Sequence, residues 1–404
     1  MKKLLLVLAF TAMSAYCAFA DVVISGHVRS YLSRNAIIDA EVRVPGTNVS
    51  VIANEDGFFS LKLDSMPSSM VVSAVGHRNR TLNEAEISAN PGKLEIWLIP
   101  ETRFLDQVTV YSPDYIVETA IRNIPYNYAP QSEVLSCFYR ETTRKSNRYV
   151  TVREAVFDVY KSDYSHGISR DKVQVHKGRS LASRRNIDTV AIKVLGGPYE
   201  AVLVDIVKNR EILFYPEDIP AYNFTMAEGT SIDDRPQYVI HFQPKDTRPY
   251  ALYHGTMYID MELLAFTRVE FSLEMDDQVK ATSAMLQKKP VGLRFRPREL
   301  TTVISYHYDG NCFRLNYLRN YYSFSCDYKK RLFYATCRVV SEMVVTDYHA
   351  SEIPNLRKEA FNRYDFLDNQ TADFNDSAFW ADYNILEPSE SLEHAIGRLK
   401  KIAR

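Results

Sequence analysis

The stretch from Ile38 to Leu61 limits most strongly what this chain can fold into. Its apolar residues alternate with polar ones in short runs, and the turn-forming pairs Pro45-Gly46 and Asp56-Gly57 lie between those runs. Short alternating strands joined by such turns are typical of an antiparallel β-sandwich. The same rhythm continues over residues 21–101, so we predict a seven-stranded antiparallel β-sandwich there. The stretch contains no motif that identifies a chemistry.

Five segments of this region carry a more specific signature. They are SGHV at Ser25–Val28, DAEVRVPGT at Asp39–Thr47, NEDGFFSL at Asn54–Leu61, SAVGH at Ser73–His77 and LDQVTV at Leu105–Val110. Together they resemble the carboxypeptidase regulatory-like domain, a transthyretin-like module of exported proteins in Bacteroidetes-type bacteria. The resemblance implies a prealbumin-like sandwich that acts as a non-catalytic accessory. Such modules also precede outer-membrane transporter barrels, but we expect no transporter here because too few residues follow.

Residues 1–20 have the pattern of a secretory signal peptide. The basic pair Lys2-Lys3 precedes an apolar stretch at Leu4–Met13, and Ala18-Phe19-Ala20 supplies a small-x-small cleavage site. We therefore predict cleavage near Ala20 and export to the periplasm or the outer membrane. Cys17 leaves a second interpretation open, in which this residue carries a lipid anchor.

Charge and hydropathy narrow the classes of partner. Removal of residues 1–20 takes away two lysines and no acid, so the formal net charge changes from −1 to −3. This balance gives no electrostatic reason to bind nucleic acid. No later apolar segment has the roughly 20 residues that a spanning helix needs. We predict a mature chain without a transmembrane span, and peripheral association with the outer membrane stays open.

A connector and a large sheet follow the sandwich. Residues 102–131 contain a connecting strand and a helix that starts at Ser112-Pro113, after which apolar residues recur at helical spacing. Residues 132–350 are rich in tyrosine and phenylalanine and predict one large, curved antiparallel sheet, like a half-barrel. Its expected strands are Ser136–Thr142, Tyr149–Tyr160, Val202–Val207, Gln237–Gln243, Thr256–Asp260, Ala265–Glu274, Thr301–Tyr308, Phe313–Phe324 and Leu332–Thr346.

The sheet region carries a second, looser resemblance. The strands at Tyr238–Phe242, Gly255–Asp260 and Ala265–Phe271 are similar in rhythm to those of periplasmic lipoprotein-carrier and sorting proteins. The layout also resembles the soluble part of an uncharacterised outer-membrane family. In the tail, residues 351–404, we expect Phe379-Trp380 to pack on the sheet and a helix to follow Pro388.

Candidate residues for chemistry each have a structural alternative. Asp233-Asp234 and Asp276-Asp277 could bind calcium or act on sugars, or lie in solvated loops. A basic loop could contact phosphate-bearing lipid or polysaccharide, or only solvent. The nine histidines form no zinc motif, and His241 and His307 are expected to be structural. The residues of the basic loop are Lys177, Arg179, Arg184 and Arg185.

The cysteines and tyrosines leave further alternatives open. The four cysteines beyond the signal either pair in an oxidising compartment or act as buried thiols. Tyrosines between Tyr306 and Tyr348 stack on sugars, line an apolar groove for lipid or peptide, or pack in the core. Asp64-Ser65-Met66, Asp188-Thr189-Val190 and Asp376-Ser377-Ala378 resemble an O-glycosylation sequence. The cysteines are Cys137, Cys312, Cys326 and Cys337.

These observations predict no catalytic residue, no metal and no cofactor. The function that fits best is a non-enzymatic envelope protein, in which the sandwich and an aromatic sheet bind an envelope protein, glycan or lipid. One alternative is a lipid or lipoprotein carrier that uses the concave side of the half-barrel. Another is a polysaccharide-active enzyme whose carboxylates come from distant strands, because catalytic residues need not be neighbours in sequence.

Overall fold

A computed structural model describes residues 22–101, 111–183, 197–286, 293–328, 335–356, 359–365, 367–374, 379–381 and 383–403. The N-terminal part is a sandwich of seven strands. A short helix, α1 (Glu84–Ala89), connects its last two strands. The strands are β1 (Val22–Ser30), β2 (Glu41–Arg43), β3 (Ser50–Ile52), β4 (Phe58–Leu63), β5 (Ser69–Ser73), β6 (Arg80–Asn83) and β7 (Leu94–Leu98).

The sandwich has two sheets, in the orders β4-β1-β7 and β3-β2-β5-β6. Inward residues such as Ile24, Val42 and Phe59 form its core, so the predicted seven-stranded sandwich is confirmed. One pair differs from the antiparallel expectation, because β7 runs parallel to β1. The two strands approach so closely at Gly26 that an added Cβ would lie 2.3 Å from the carbonyl oxygen of Leu94, which explains glycine at this position.

The connector contains the predicted helix. In α2 (Pro113–Arg122) the hydroxyl of Ser112 accepts a hydrogen bond from the amide of Tyr115, which satisfies one free N–H of the first turn. Proline occupies the first helical position, where its missing N–H costs nothing. A second short helix, α3 (Ile124–Asn127), follows directly.

The large sheet is open and has twelve strands. Its order is β11-β13-β14-β15-β16-β17-β18-β8-β9-β10-β19, and β12 pairs with β13. Only the short pair of β10 with β19 is parallel. The strands are β8 (Glu133–Lys145), β9 (Arg148–Lys161), β10 (Lys172–Ala182), β11 (Tyr222–Met226), β12 (Thr230–Ile232), β13 (Arg235–Pro244), β14 (Tyr253–Asp260), β15 (Phe266–Leu273), β16 (Leu293–Tyr308), β17 (Phe313–Tyr328), β18 (Ala335–Ala350) and β19 (Ala372–Asp373).

Both faces of this sheet are covered over its central strands. On one side, here called the helix face, α2, α3 and residues 199–222 enclose the main apolar core. On the other side, the sandwich face, β3 and the tail pack against Phe138 and Tyr317. Phe379 and Trp380 lie in that second cluster, as predicted. The tail ends in α6 (Glu390–Ala403), which buries Leu392 and Leu399 against the sheet.

Several local predictions are wrong. Val202–Val207 is not a strand: α4 (Glu200–Leu203) and a turn occupy this segment, because a short apolar run does not distinguish a strand from a buried helix. The sequence patterns also missed β10, β11, β12 and a helix, α5 (Gln278–Met285). In β10 only Val173, Gly178 and Leu181 are buried, and basic residues lie among the others, so its sequence looks like a loop.

Candidate functional site

The turn between β12 and β13 joins the sheet to the sandwich. Asp233 and Asp234 both have positive φ, 54° and 58°, as tight hairpin turns require. The Asp233 carboxylate accepts hydrogen bonds from Arg43 Nη2 at 2.6 Å and Asn79 Nδ2 at 2.7 Å. The backbone amide of Asn79 donates to Asp234 at 2.9 Å. Asp233 is therefore held by the sandwich, whereas Asp234 is exposed in the turn, so the predicted solvated loop does not describe Asp233 but does describe Asp234.

A histidine lies behind the same turn. His307 Nδ1 is 3.4 Å from Glu41 Oε2 and 3.9 Å from Asp233 Oδ2. Burial by itself would lower the pKa of His307, but the two carboxylates, Glu41 above all, raise it above its ordinary value. His307 thus lies between a carboxylate of the sandwich and one of the sheet, and its structural role stays a prediction.

A cleft opens beside this contact between the β2–β3 hairpin and the β16–β17 hairpin. This junction cleft has a volume of about 520 Å³. Asn48 Nδ2 donates to the carbonyl of Tyr348 at 2.6 Å across it, and Arg314 pairs with Glu133 at 2.7 Å at its base. Its walls are mainly polar, so the cleft suits water or a small polar ligand.

The tail is fixed to the sandwich as well as to the sheet. Lys62 Nζ donates to the carbonyl of Tyr383 at 2.9 Å, and the amide of Glu390 donates to Asp56 at 2.7 Å. Asn54 Nδ2 donates to the carbonyl of Pro388 at 3.1 Å. The tail therefore contacts the sandwich as well as the sheet.

A buried carboxylate, that of Glu154, fixes the tail to the large sheet. Glu154 is fully buried and accepts from Arg140 Nε at 2.7 Å, Arg179 Nε at 2.7 Å and Trp380 Nε1 at 3.0 Å. Burial by itself would raise the pKa of Glu154, but the two guanidiniums and the indole lower it below its ordinary value. Glu154 lies on β9 and stays ionised. It binds side chains of β8, β10 and the tail.

An arginine-rich cleft lies where sheet, sandwich and tail meet. This arginine cleft has a volume of about 130 Å³. Arg319 Nη2 lies 3.3 Å from Glu55 of the sandwich, and burial raises the pKa values of Glu342 and Glu387 at its walls. The sheet contributes Arg140, Thr142, Arg144, Tyr149, Arg319, Tyr321, Arg338, Val340 and Glu342, while the sandwich and tail supply Asn54, Glu55, Leu386, Glu387, Ser389 and Leu392.

The helix face also contains charges, but these are enclosed. Lys161 Nζ lies 2.7 Å from Asp205 and Lys208 Nζ lies 2.9 Å from Asp171, and all four side chains are buried. Burial by itself would lower the pKa of Lys161, but Asp205 and Asp171 raise it above its ordinary value. Buried charges persist only when they are paired, so this two-lysine, two-aspartate network has a structural role.

Glu200 is a further buried acid of the helix face, and the sequence analysis did not single it out. Its carboxylate accepts from Tyr322 at 2.6 Å, Ser341 at 2.8 Å and Asn320 at 3.1 Å. None of these donors is a cation, and burial raises the pKa of Glu200 to about 7. A glutamate before the apolar run at Val202 carried no recognisable signal, because its partners lie 120 or more residues away.

The predicted basic loop is not a loop where the structure describes it. Lys177 and Arg179 lie on β10, and Lys177 Nζ donates to the carbonyl of Phe379 at 2.6 Å while Arg179 binds Glu154. Their charges bind the carbonyl of Phe379 and the carboxylate of Glu154, and contact with a phosphate stays a prediction. Of the second acid pair, Asp277 caps α5 by accepting hydrogen bonds from the amides of Val279 and Lys280, which explains its position without a metal.

The cysteines and tyrosines lie mostly in the interior. All four cysteines are buried, and the sulfurs of Cys326 and Cys337 on neighbouring strands are 3.6 Å apart. The structure holds them as thiols, and the alternative of a disulfide stays a prediction. Tyr306, Tyr317 and Tyr322 are buried in packed cores, which favours core packing over sugar stacking.

Some predicted features lie outside the described residues. They are the signal peptide with Cys17 and the cleavage site at Ala20, the segment Leu105–Val110, the pair Arg184-Arg185 and two of the three glycosylation-like tripeptides. Within the described ranges, no three histidine, cysteine or acidic residues are grouped to hold a metal ion. Over the same residues, no helix is both long enough and apolar enough to cross a bilayer.

Comparison with known proteins supports the sandwich assignment. Residues 24–110 match the family model of the CarboxypepD_reg-like domain. The resemblance predicted from five short segments is therefore confirmed for this part of the chain. The CarboxypepD_reg-like domain is the part whose hairpin and turns make the contacts with Asp233, Tyr348 and the tail described above. No curated protein matches the chain.

Two solved structures show a distant likeness. One is a putative outer membrane lipoprotein-sorting protein domain from Vibrio parahaemolyticus, with 9% identity over 61% of this chain and 96% of that chain and a TM-score of 0.28. The other is a DUF1329 family protein from Desulfovibrio piger, with 8% identity, the same two coverages and a TM-score of 0.25. At these TM-scores neither likeness carries a functional conclusion.

Proposed function

We propose that this protein is an exported, non-enzymatic component of the cell envelope, periplasmic or peripherally attached to the outer membrane, with a binding or scaffold role. The observation that carries the proposal is the docking of the CarboxypepD_reg-like domain and the tail across one face of the large sheet. Contacts at Asp233, His307 and Glu154 hold the three parts together. Partners would then meet the outer surfaces of a joined unit.

The filled helix face supports a scaffold over a lipid or lipoprotein carrier. A carrier needs a continuous apolar cavity for an acyl chain. Here Tyr128, Phe214 and Phe266 fill the helix face of the sheet. Charged or polar groups line the junction cleft and the arginine cleft. Stoichiometric lipid in organic extracts of the purified protein would contradict this choice.

Photo-cross-linking in native cells tests the proposal. Tyr31 and Leu32 are exposed apolar residues at the end of β1, a position open to a partner of the sandwich. A photoreactive amino acid at either position should give reproducible adducts with an envelope protein, glycan or lipid. The matched control is Tyr126, which is 81% exposed and follows α2. The proposal fails if neither sandwich position yields adducts and the purified chain binds no envelope fraction.

A second candidate is an enzyme that acts on polysaccharide. The observation in its favour is that Glu342 and Glu387 line the arginine cleft and that burial raises both pKa values, as a general acid requires. The purified protein should be incubated with envelope and dietary polysaccharides beside the variants Glu342→Gln and Glu387→Gln. Hydrolysis that either substitution abolishes would establish the enzyme and overturn the non-enzymatic role.

A further inference from the structure

The pairing of β8 with β18 brings two arginines directly opposite each other. Arg144 lies opposite Arg338, whereas four residues earlier on β8 Arg140 lies opposite Glu342. Opposite charges in facing positions stabilise a sheet, and like charges there destabilise it. The same two strands thus carry one complementary pair and one repulsive pair, both on the wall of the arginine cleft.

Among the residues that the structure describes, no acid forms an ion pair with either arginine of the repulsive pair. The Arg144 guanidinium donates to the hydroxyl of Tyr149 and lies 4.0 Å from the centre of that ring, and Arg338 Nη1 donates to Asn147 at 3.3 Å. Both partners are neutral. This contrasts with Arg140 and Arg319, which pair with Glu154 and Glu55.

The two facing guanidiniums favour a compact anion with two charges. Glu55, Glu342 and Glu387 line the same cleft, and Glu55 is paired with Arg319. Each guanidinium offers five N–H donors in a planar fork that fits phosphate or carboxylate oxygens, and two such groups balance a dianion better than a monoanion. A buried water needs about 10–15 Å³, so a cleft of about 130 Å³ has room for one phosphate group with a few waters. It does not have room for an acyl chain.

We propose that Arg144 and Arg338 form a binding subsite for a phosphomonoester group, carried by a sugar or lipid or present as free phosphate. This inference goes beyond the proposed envelope role and does not depend on it, because binding by the purified chain can be measured without any envelope partner. The dianion would neutralise the facing arginines and bridge β8 and β18. Thr142 and Tyr321 line the same cleft and offer hydroxyls to the group.

The test uses residues 21–404 at pH 7.5, where a phosphomonoester is mostly dianionic. Calorimetry with inorganic phosphate, glucose 1-phosphate and glucose should show binding of phosphate-bearing probes and none of glucose. Vesicles of phosphatidic acid in phosphatidylcholine, compared with phosphatidylcholine alone, test a lipid source. Tighter binding of the sugar phosphate or of the acidic vesicles than of phosphate identifies the carrier, and equal binding identifies free phosphate.

Variants locate the site. Arg144→Gln and Arg338→Gln should each weaken phosphate binding by about tenfold, as expected for loss of one charge-assisted contact. The same substitutions should leave or raise the Tm of the unliganded protein, because they remove the repulsive pair. Arg148→Gln, an exposed arginine of the same hairpin, is the matched control and should change neither. Absence of phosphate binding in the natural chain, or binding that both glutamine variants retain in full, would overturn the proposal.

Discussion

The two faces of the large sheet use charge in opposite ways. On the helix face, Lys161 with Asp205 and Lys208 with Asp171 form closed pairs inside an apolar core. On the sandwich face, charges join separate parts of the chain, as Asp233 does with Arg43 across 190 residues. The comparison shows that charges on the helix face are enclosed in one core, whereas charges on the sandwich face join separate parts of the chain. The proposed phosphate subsite at Arg144 and Arg338 lies on the sandwich face.

The largest expected effect is on the helix face. Lys161→Met removes the cation and leaves Asp205 buried without it, which should cost about 3–5 kcal/mol of unfolding free energy. Urea denaturation measures this loss. Lys177→Met is the matched change on the sandwich face, where the ammonium contacts the carbonyl of Phe379 and the rings of Phe379 and Tyr383, and it should cost far less. Equal losses would remove the distinction between the faces.

The second prediction concerns pH and Glu200. Because burial raises the pKa of Glu200 to about 7 from an ordinary 4.5, the folded state holds a proton that the unfolded state has released. The bound proton stabilises the folded state at pH 4.5, and this stabilisation is lost as the pH rises to about 7. The free energy of unfolding should fall by about 3 kcal/mol over that range. Glu200→Gln should lack that loss. The difference between natural chain and variant is measured by denaturation from pH 4.5 to 8.

The exposed Glu228 supplies the control for this pH experiment. Glu228→Gln removes a carboxylate of the same type from the surface and should leave the pH profile of the natural chain unchanged. A Glu200→Gln profile parallel to that of the natural chain would show that the buried carboxyl is ionised throughout.

A smaller effect is expected at the junction of sandwich and sheet. Asp233→Asn keeps the positive-φ turn, which asparagine tolerates, but removes the charge that binds Arg43. We expect a loss of about 1–2 kcal/mol. Faster hydrogen exchange is expected at the amide of Gly76, which donates to the carbonyl of Ser231 at 2.8 Å. Asp234→Asn in the same turn should change little, since its acceptor survives. Similar effects of both would argue against an ionic junction.

The smallest effect is the proton dependence of the same junction. The pKa of His307 is raised in the folded protein, where burial opposes and Glu41 and Asp233 favour the charged form. The contribution of His307 to the free energy of unfolding is therefore complete below its pKa in the unfolded state, near 6.5. It is lost as the pH rises through its pKa in the folded state. His307→Gln should remove about 0.5–1 kcal/mol at pH 6 and almost nothing at pH 9. An unchanged difference at both pH values would exclude this role.

Much of the fold could be predicted from local sequence patterns. Period-two alternation predicted the sandwich strands, and Ser112 with Pro113 predicted the start of α2, since both signals are local. The prediction of a strand at Val202–Val207 was wrong because this apolar run fits a buried turn of helix as well as a strand. The parallel pairing of β7 with β1 depends on the path of the chain through α1, which no alternation pattern encodes.

The candidate site was much harder to predict from the sequence. The sequence places Asp233 in a turn, but its partners Arg43 and Asn79 come from the sandwich. Arg144 and Arg338 are 194 residues apart in sequence and face each other only because β8 pairs with β18. A shift of the pairing by one residue would send one of them to the opposite face, so such a juxtaposition requires the exact alignment of distant strands.

The pairing of β8 with β18 also has a consequence for how the chain reaches its native state. It joins the antiparallel run β8–β10 to the run β13–β18, although nearly 200 residues separate the two strands. Contacts of such sequence separation form slowly, because a long loop must close before they contribute. Until β18 arrives, β8 presents an unpaired edge of thirteen residues, a template for association with other chains. A chain folding from its N-terminus is therefore most vulnerable to aggregation until residue 350 has become available.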